Sequence, residues 1–98
     1  MGNLTAVMVK ALRHDPAKGN HPLRFPDGDN LYLQVAPGGS KSWLFRYTLH
    51  GKAREMGLGP VGELPDGVPL AEARKRAAAA RALLADGRDP IEERQRST

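Results

Sequence analysis

A chain of 98 residues carries one domain with a modest core, assembled mostly from aliphatics and alanine because aromatics make up only 5%. Fifteen Lys and Arg against eleven Asp and Glu leave a net charge of +4, which suits a polyanionic partner without requiring one. With no cysteine there is no disulfide framework or thiolate metal site. No apolar run is long enough for a signal peptide or a membrane span, so the sequence reads as soluble and cytoplasmic.

Residues 3–16 predict a short helix. Thr5 is placed to cap it, Ala6, Val9, Ala11 and Leu12 make an apolar stripe, and Pro16 ends it. After a loop over residues 17–22 come two strand-like runs separated by a turn at 26–30, where Asp27 and Asp29 read as turn residues. In the second run Leu31, Leu33 and Val35 share one side and Tyr32 and Gln34 the other. Residues 36–41 form another loop rich in turn formers.

The stretch SKSWLFRYTLHGKAREMGLG, residues 40–59, folds on paper into a hairpin about His50 and Gly51. That turn pairs Leu49 with Lys52, Thr48 with Ala53, Tyr47 with Arg54 and Arg46 with Glu55. Further out, Phe45 meets Met56, Leu44 meets Gly57 and Trp43 meets Leu58. Directly opposed residues lie on the same side of a sheet. One side therefore collects Trp43, Phe45, Tyr47, Met56 and Leu58, and the other Leu44, Arg46, Thr48, Ala53 and Glu55.

A Gly/Pro-rich connector then leads to LAEARKRAAAARALLADG, a helix by composition that Gly87 stops and Pro69 opens at its first position. Leu70, Ala73, Ala77, Ala80 and Leu84 form its apolar stripe. Alanine lets a helix lie close to a sheet, so this helix is expected as a lid over the Trp43 side. Arg74, Lys75, Arg76 and Arg81 then make a solvated face with Glu72, although Arg74 and Arg81, seven apart, are also spaced to touch phosphates. Residues 88–98 read either as a helix with Asp89 capping and Pro90 first, or as a linker. The expected architecture is α+β: a small antiparallel sheet covered by helix on one side and bare on the other.

Little in the chain supports catalysis. His14, His21 and His50 show no ligand spacing and read as loop histidines, so no metal or cofactor is expected. No Ser or Thr has a base and orienter at a recognisable spacing, and GGSK and GLGPVG do not match a phosphate loop. The bare sheet face is more informative. A narrow sheet fits the major groove of double-stranded DNA. On that face Arg46 is suited to guanine and Gln34 to adenine, Thr48 offers a hydroxyl and a methyl, and Tyr32 can reach a phosphate or stack. Lys41, Lys52 and Arg54 supply charge for phosphates. Three plainer readings stand beside this one. Arg46 and Glu55 make an ordinary cross-strand ion pair, Lys52 and Arg54 guard a sheet edge, and the face either binds protein or is simply solvated. Binding of single-stranded nucleic acid needs aromatic platforms, and only Tyr32 points outward.

The segments LRFPDGDNLYLQVAPGGSKSWLFRY, the basic hairpin ending MGLG, and LAEARKRAAAARALLADGRDPIEERQ occur in that order. Together they resemble the N-terminal arm-type DNA-binding domain of phage integrases, tyrosine recombinases found in satellite phages, prophages and genomic islands. The resemblance covers residues 4–95. It implies a three-stranded antiparallel sheet packed on one face by a C-terminal helix, with a short N-terminal helix. It also implies sequence-specific binding to arm-type attachment sites, the sheet in the major groove, so that the integrase is positioned for site-specific recombination. A module for protein–protein contact between integrase subunits is the alternative. In that family the nucleophilic tyrosine, with its arginines and histidine, belongs to a separate catalytic domain. Tyr32 and Tyr47 lack such companions, so the chain is expected to be a non-catalytic fragment. Residues 1–88 would be the arm-type domain and 89–98 the start of a linker toward an absent core-binding and catalytic region. Two positions depart from the family pattern: Pro69 stands where a capping serine is usual, and Asn30 where glycine is.

Overall fold

Thr5 begins the first helix as its sequence suggests. A computed structural model describes residues 3–96 except 16 and 18, so the stop assigned to Pro16 lies outside the described residues. The Thr5 hydroxyl accepts the Met8 N–H at 3.1 Å and opens α1 (Ala6–Ala11). Only Val9 of this helix is buried, with Leu12 half-buried just beyond it; Ala6 and Ala11 are exposed, so the apolar stripe is narrower than predicted.

Four strands form one antiparallel sheet in chain order: β1 (Leu23–Gly28), β2 (Leu31–Val35), β3 (Lys41–Leu49) and β4 (Lys52–Pro60). The three-stranded sheet implied by resemblance is therefore short by one strand. Both strand-like runs before residue 36 form strands, β1 pairing with β2 from Leu23↔Val35 to Gly28↔Leu31. Pro26 is tolerated there because β1 is an edge strand. The β1–β2 turn is tighter than the sequence suggests. Asp29 and Asn30 alone form it, both at positive φ (53° and 71°), as a type I′ hairpin turn requires. Asp27 is consequently not a turn residue: it sits in β1 where the register shifts, 2% exposed.

The β3–β4 hairpin keeps the predicted register from Leu49↔Lys52 to Leu44↔Gly57, with His50 and Gly51 at the tip. It departs at the far end, where Trp43 faces Gly59 instead of Leu58. Leu58 is the extra residue of a bulge, yet remains buried. Gly59 has φ +119°, and a Cβ there would stand 2.7 Å from Val68 Cγ2, so the bulge and the connector together demand glycine. The connector is fastened to the core by Trp43, whose indole N–H donates to Val68 O at 2.7 Å.

α2 (Leu70–Ala85) buries Ala73, Ala77 and Ala80 in one hydrophobic cluster with Leu31, Leu33, Val35, Trp43, Phe45 and Tyr47; Leu70 and Leu84 pack at its margin. Pro69 is the N-cap, so the helix begins one residue later than predicted, and Pro69 makes no side-chain cap bond. At the other end Gly87 N–H bonds Leu84 O and Arg88 N–H bonds Leu83 O, a Schellman closure. α3 (Pro90–Arg96) follows, with the Asp89 carboxylate accepting Ile91 N–H at 2.9 Å and Pro90 buried at the first position.

Candidate nucleic-acid interface

The period of two along each strand makes two unlike faces. Toward α2 lie Leu31, Leu33, Val35, Trp43, Phe45 and Tyr47, none more than 4% exposed. The opposite face carries Arg24 and Pro26 from β1, Tyr32 and Gln34 from β2, Ser42, Leu44, Arg46 and Thr48 from β3, and Ala53 and Glu55 from β4. Arg46 and Thr48 are exposed, and Tyr32 and Gln34 are half-buried between their neighbours. The four residues assigned to base edges thus share one surface. A depression there is bounded by Asn30, Tyr32, Arg46, Thr48, Ala53 and Glu55, and also by Tyr47 and Arg54.

These side chains form a network. Glu55 lies 3.2 Å from Nε of Arg46, directly across the hairpin. The Arg46 guanidinium lies 5.7 Å from the centre of the Tyr32 ring, within cation–π range. Arg24 reaches over the sheet from the far edge strand. Its Nη2 donates to Glu55 Oε1 at 3.0 Å, its Nη1 also donates to the Glu55 carboxylate, and its Nε donates to Gln34 Oε1 at 3.0 Å. Arg24 was missed in the sequence, though its place opposite Gln34 follows once the β1–β2 turn is located.

The three residues assigned to phosphates have the other parity. Lys52 pairs with Leu49, Arg54 with Tyr47 and Lys41 with Val35, so all three spring from the helix side of the sheet. Lys52 is exposed beside the hairpin tip. Lys41 donates to Val9 O at 2.7 Å and Lys10 O at 3.0 Å, holding the end of α1. Its burial, together with the nearby Arg13 charge, pushes its pKa down. Arg54 pairs with Asp89 Oδ2 at 2.6 Å, while Asp89 Oδ1 accepts the Tyr47 hydroxyl at 2.5 Å. Burial and this carboxylate push the Tyr47 phenol up to about 12. Burial pushes Asp89 up, but the bonds from Tyr47, Ile91 N–H and Arg54 outweigh it and hold the carboxyl below its usual value.

The helix arginines are not a plain solvated face. Arg74 clamps Asp27 with two bonds of 2.9 Å and donates to Leu4 O, tying α2, β1 and the N-terminal segment together. Arg76 pairs with Glu72 and also donates to Leu58 O, and Arg81 donates to Asp29 O. No group of three or more potential metal ligands lies close together among the described residues, and no helix there is long and apolar enough to cross a membrane.

A four-stranded sheet with one face under alanine-rich helix and an arginine-bearing polar face left open defines a binding module. Comparison with known proteins gives its family. The family described as Arm DNA-binding domain matches residues 4–97. The chain is 46% identical over 63 residues to Prophage integrase IntZ of Escherichia coli (strain K12), covering 64% of this chain and 15% of that protein. It is 38% identical over 77 residues to the Integrase of Shigella phage Sf6, covering 79% and 19%, and equally so to Prophage integrase IntS of Escherichia coli (strain K12). The chain thus spans less than a fifth of the length of these curated relatives, 15% to 19%. It belongs to the Arm DNA-binding domain family, as a DNA-binding domain of the phage-integrase type.

Proposed function

We propose that this domain binds double-stranded DNA at arm-type attachment sites with its open sheet face in the major groove, and so positions an integrase for site-specific recombination in the cytoplasm. The observation that supports this reading is the one-sidedness of the sheet. Arg46, Gln34, Thr48 and Tyr32 stand together on the face that no helix covers, in a chain whose family is named for DNA binding. The major groove admits a ribbon about as wide as the β3–β4 hairpin, and there a guanidinium fork matches guanine O6 and N7. Lys52 lies at the tip, placed to meet a phosphate. Lys41 and Arg54 reach phosphates by giving up their bonds to α1 and to Asp89. The domain itself is non-catalytic and acts by location, with strand exchange assigned to another part of the integrase.

Equilibrium titration of duplex DNA over a salt series tests this. Three phosphate contacts give a slope of log K against log salt of about −2.7. A slope near about −0.9 would mean that Lys41 and Arg54 keep their intramolecular partners. Arg46→Ala should weaken binding to a cognate site by about 1–3 kcal/mol and relax the preference at one base pair. An equal loss on random duplex removes Arg46 from base recognition.

A further inference from the structure

The polar atoms of the open face are unequally used. The acceptors are partly engaged, each beside an arginine. The Gln34 oxygen takes the Nε–H of Arg24, and both Glu55 oxygens take N–H groups of Arg24, with Oε2 also beside Nε of Arg46. The donors are not. The terminal nitrogens of Arg46 and the amide nitrogen of Gln34 make no bond with the described residues. A carboxamide recognises adenine by accepting from N6 while donating to N7, and a carboxylate recognises cytosine by accepting from N4. Both of these readings need oxygens that already accept from Arg24, whose positive charge opposes a second donor there. Guanine presents two acceptors, O6 and N7, and thymine presents one, O4.

Resting on the DNA-binding reading above, we infer that the face selects an acceptor-rich major-groove edge, with guanine under Arg46 and adenine disfavoured at the Gln34 position. Arg24 and Glu55 act as positioning residues. Glu55 holds the Nε side of Arg46 so that its terminal fork points away from the sheet. Arg24 fixes the Gln34 amide with its nitrogen free and its oxygen engaged. The specificity thus arises from a residue on the edge strand β1 that sits opposite Gln34 and reaches across the sheet to Glu55.

The test uses the whole chain and a site selected from randomised duplexes, resynthesised with 7-deazaguanine or 7-deazaadenine at each contacted purine. Removal of a guanine N7 should weaken binding roughly five- to a hundredfold, and removal of any adenine N7 should leave it unchanged. Arg24→Ala, checked by an unchanged thermal melting curve, should free the Gln34 oxygen and bring adenine into the selected site at one position. A purely structural role for Arg24 would not produce that gain. A wild-type site in which an adenine N7 matters, with the dependence lost in Gln34→Ala, overturns the inference. So does duplex binding without base preference, which leaves the DNA-binding reading intact. Failure to bind any duplex at low salt overturns both.

Discussion

The carboxylate buried on the core side belongs to a residue that sequence patterns place in a turn. Asp27 is almost fully buried. It receives two bonds from Arg74 and one from Leu4 N–H, while its backbone carbonyl accepts Asn3 N–H at 2.6 Å. The Arg74 guanidinium is the main reason its carboxyl stays below the usual range, against the cost of burial. Breaking such a pair from one side leaves an uncompensated charge inside. Arg74→Met is expected to destabilise the fold by about 1–3 kcal/mol in urea denaturation, because the Arg74 side chain is 41% exposed while the carboxylate is buried. The amide protons of Asn3 and Leu4 should lose protection ahead of those in β2 and β3. Unchanged stability would show that water replaces the guanidinium without penalty.

At the scale of elements, the carboxylate of Asp89 caps α3, receives the Tyr47 hydroxyl and pairs with Arg54, beside the buried Pro90 and a bond from Arg94 to Gly57 O. Asp89→Ala should cost about 1 kcal/mol through the lost cap alone. Hydrogen exchange at Ile91 and Glu93 should accelerate while β3 and β4 stay protected; loss of protection across all of them would mean that α3 is integral to the sheet. The sequence offered α3 through Asp89 and Pro90 beside an equal reading as a linker, and it announced α2 through its composition and alanine spacing. It also announced the hairpin, because a two-residue turn propagates register outward from one end. The bulge at Trp43 was not legible: Leu58 is apolar in either pairing, and the constraint lies in Val68, which approaches Gly59 only in three dimensions. Parity likewise placed Tyr32, Gln34, Arg46 and Thr48 together. It also determines that Lys41, Lys52 and Arg54 start from the other side, although a count of charges along the chain hides this. Contacts such as Arg74 with Asp27, 47 positions apart, leave no local pattern to read.

For the molecule as a whole, the two carboxylates held below their ordinary values decide how stability follows acidity. Each is charged in the fold at a pH where the unfolded chain has begun to take up a proton, so the unfolded state binds more protons and stability falls with pH. Their contribution is complete above the unfolded value near 3.8 and is lost as pH drops through the lower folded values. Urea midpoints measured from neutral to acid pH should stay level and then decline below about 4. In Asp89→Ala the decline should be shallower, and an identical profile would exclude Asp89 as a source. The link from Arg24 on one border of the sheet to Glu55 on the other has a mechanical consequence as well. It spans β2 and β3 like a tie rod, so the twist of the layer cannot change without lengthening or releasing it. The same strut therefore resists bending of the open face, whose curvature is set before any partner is met.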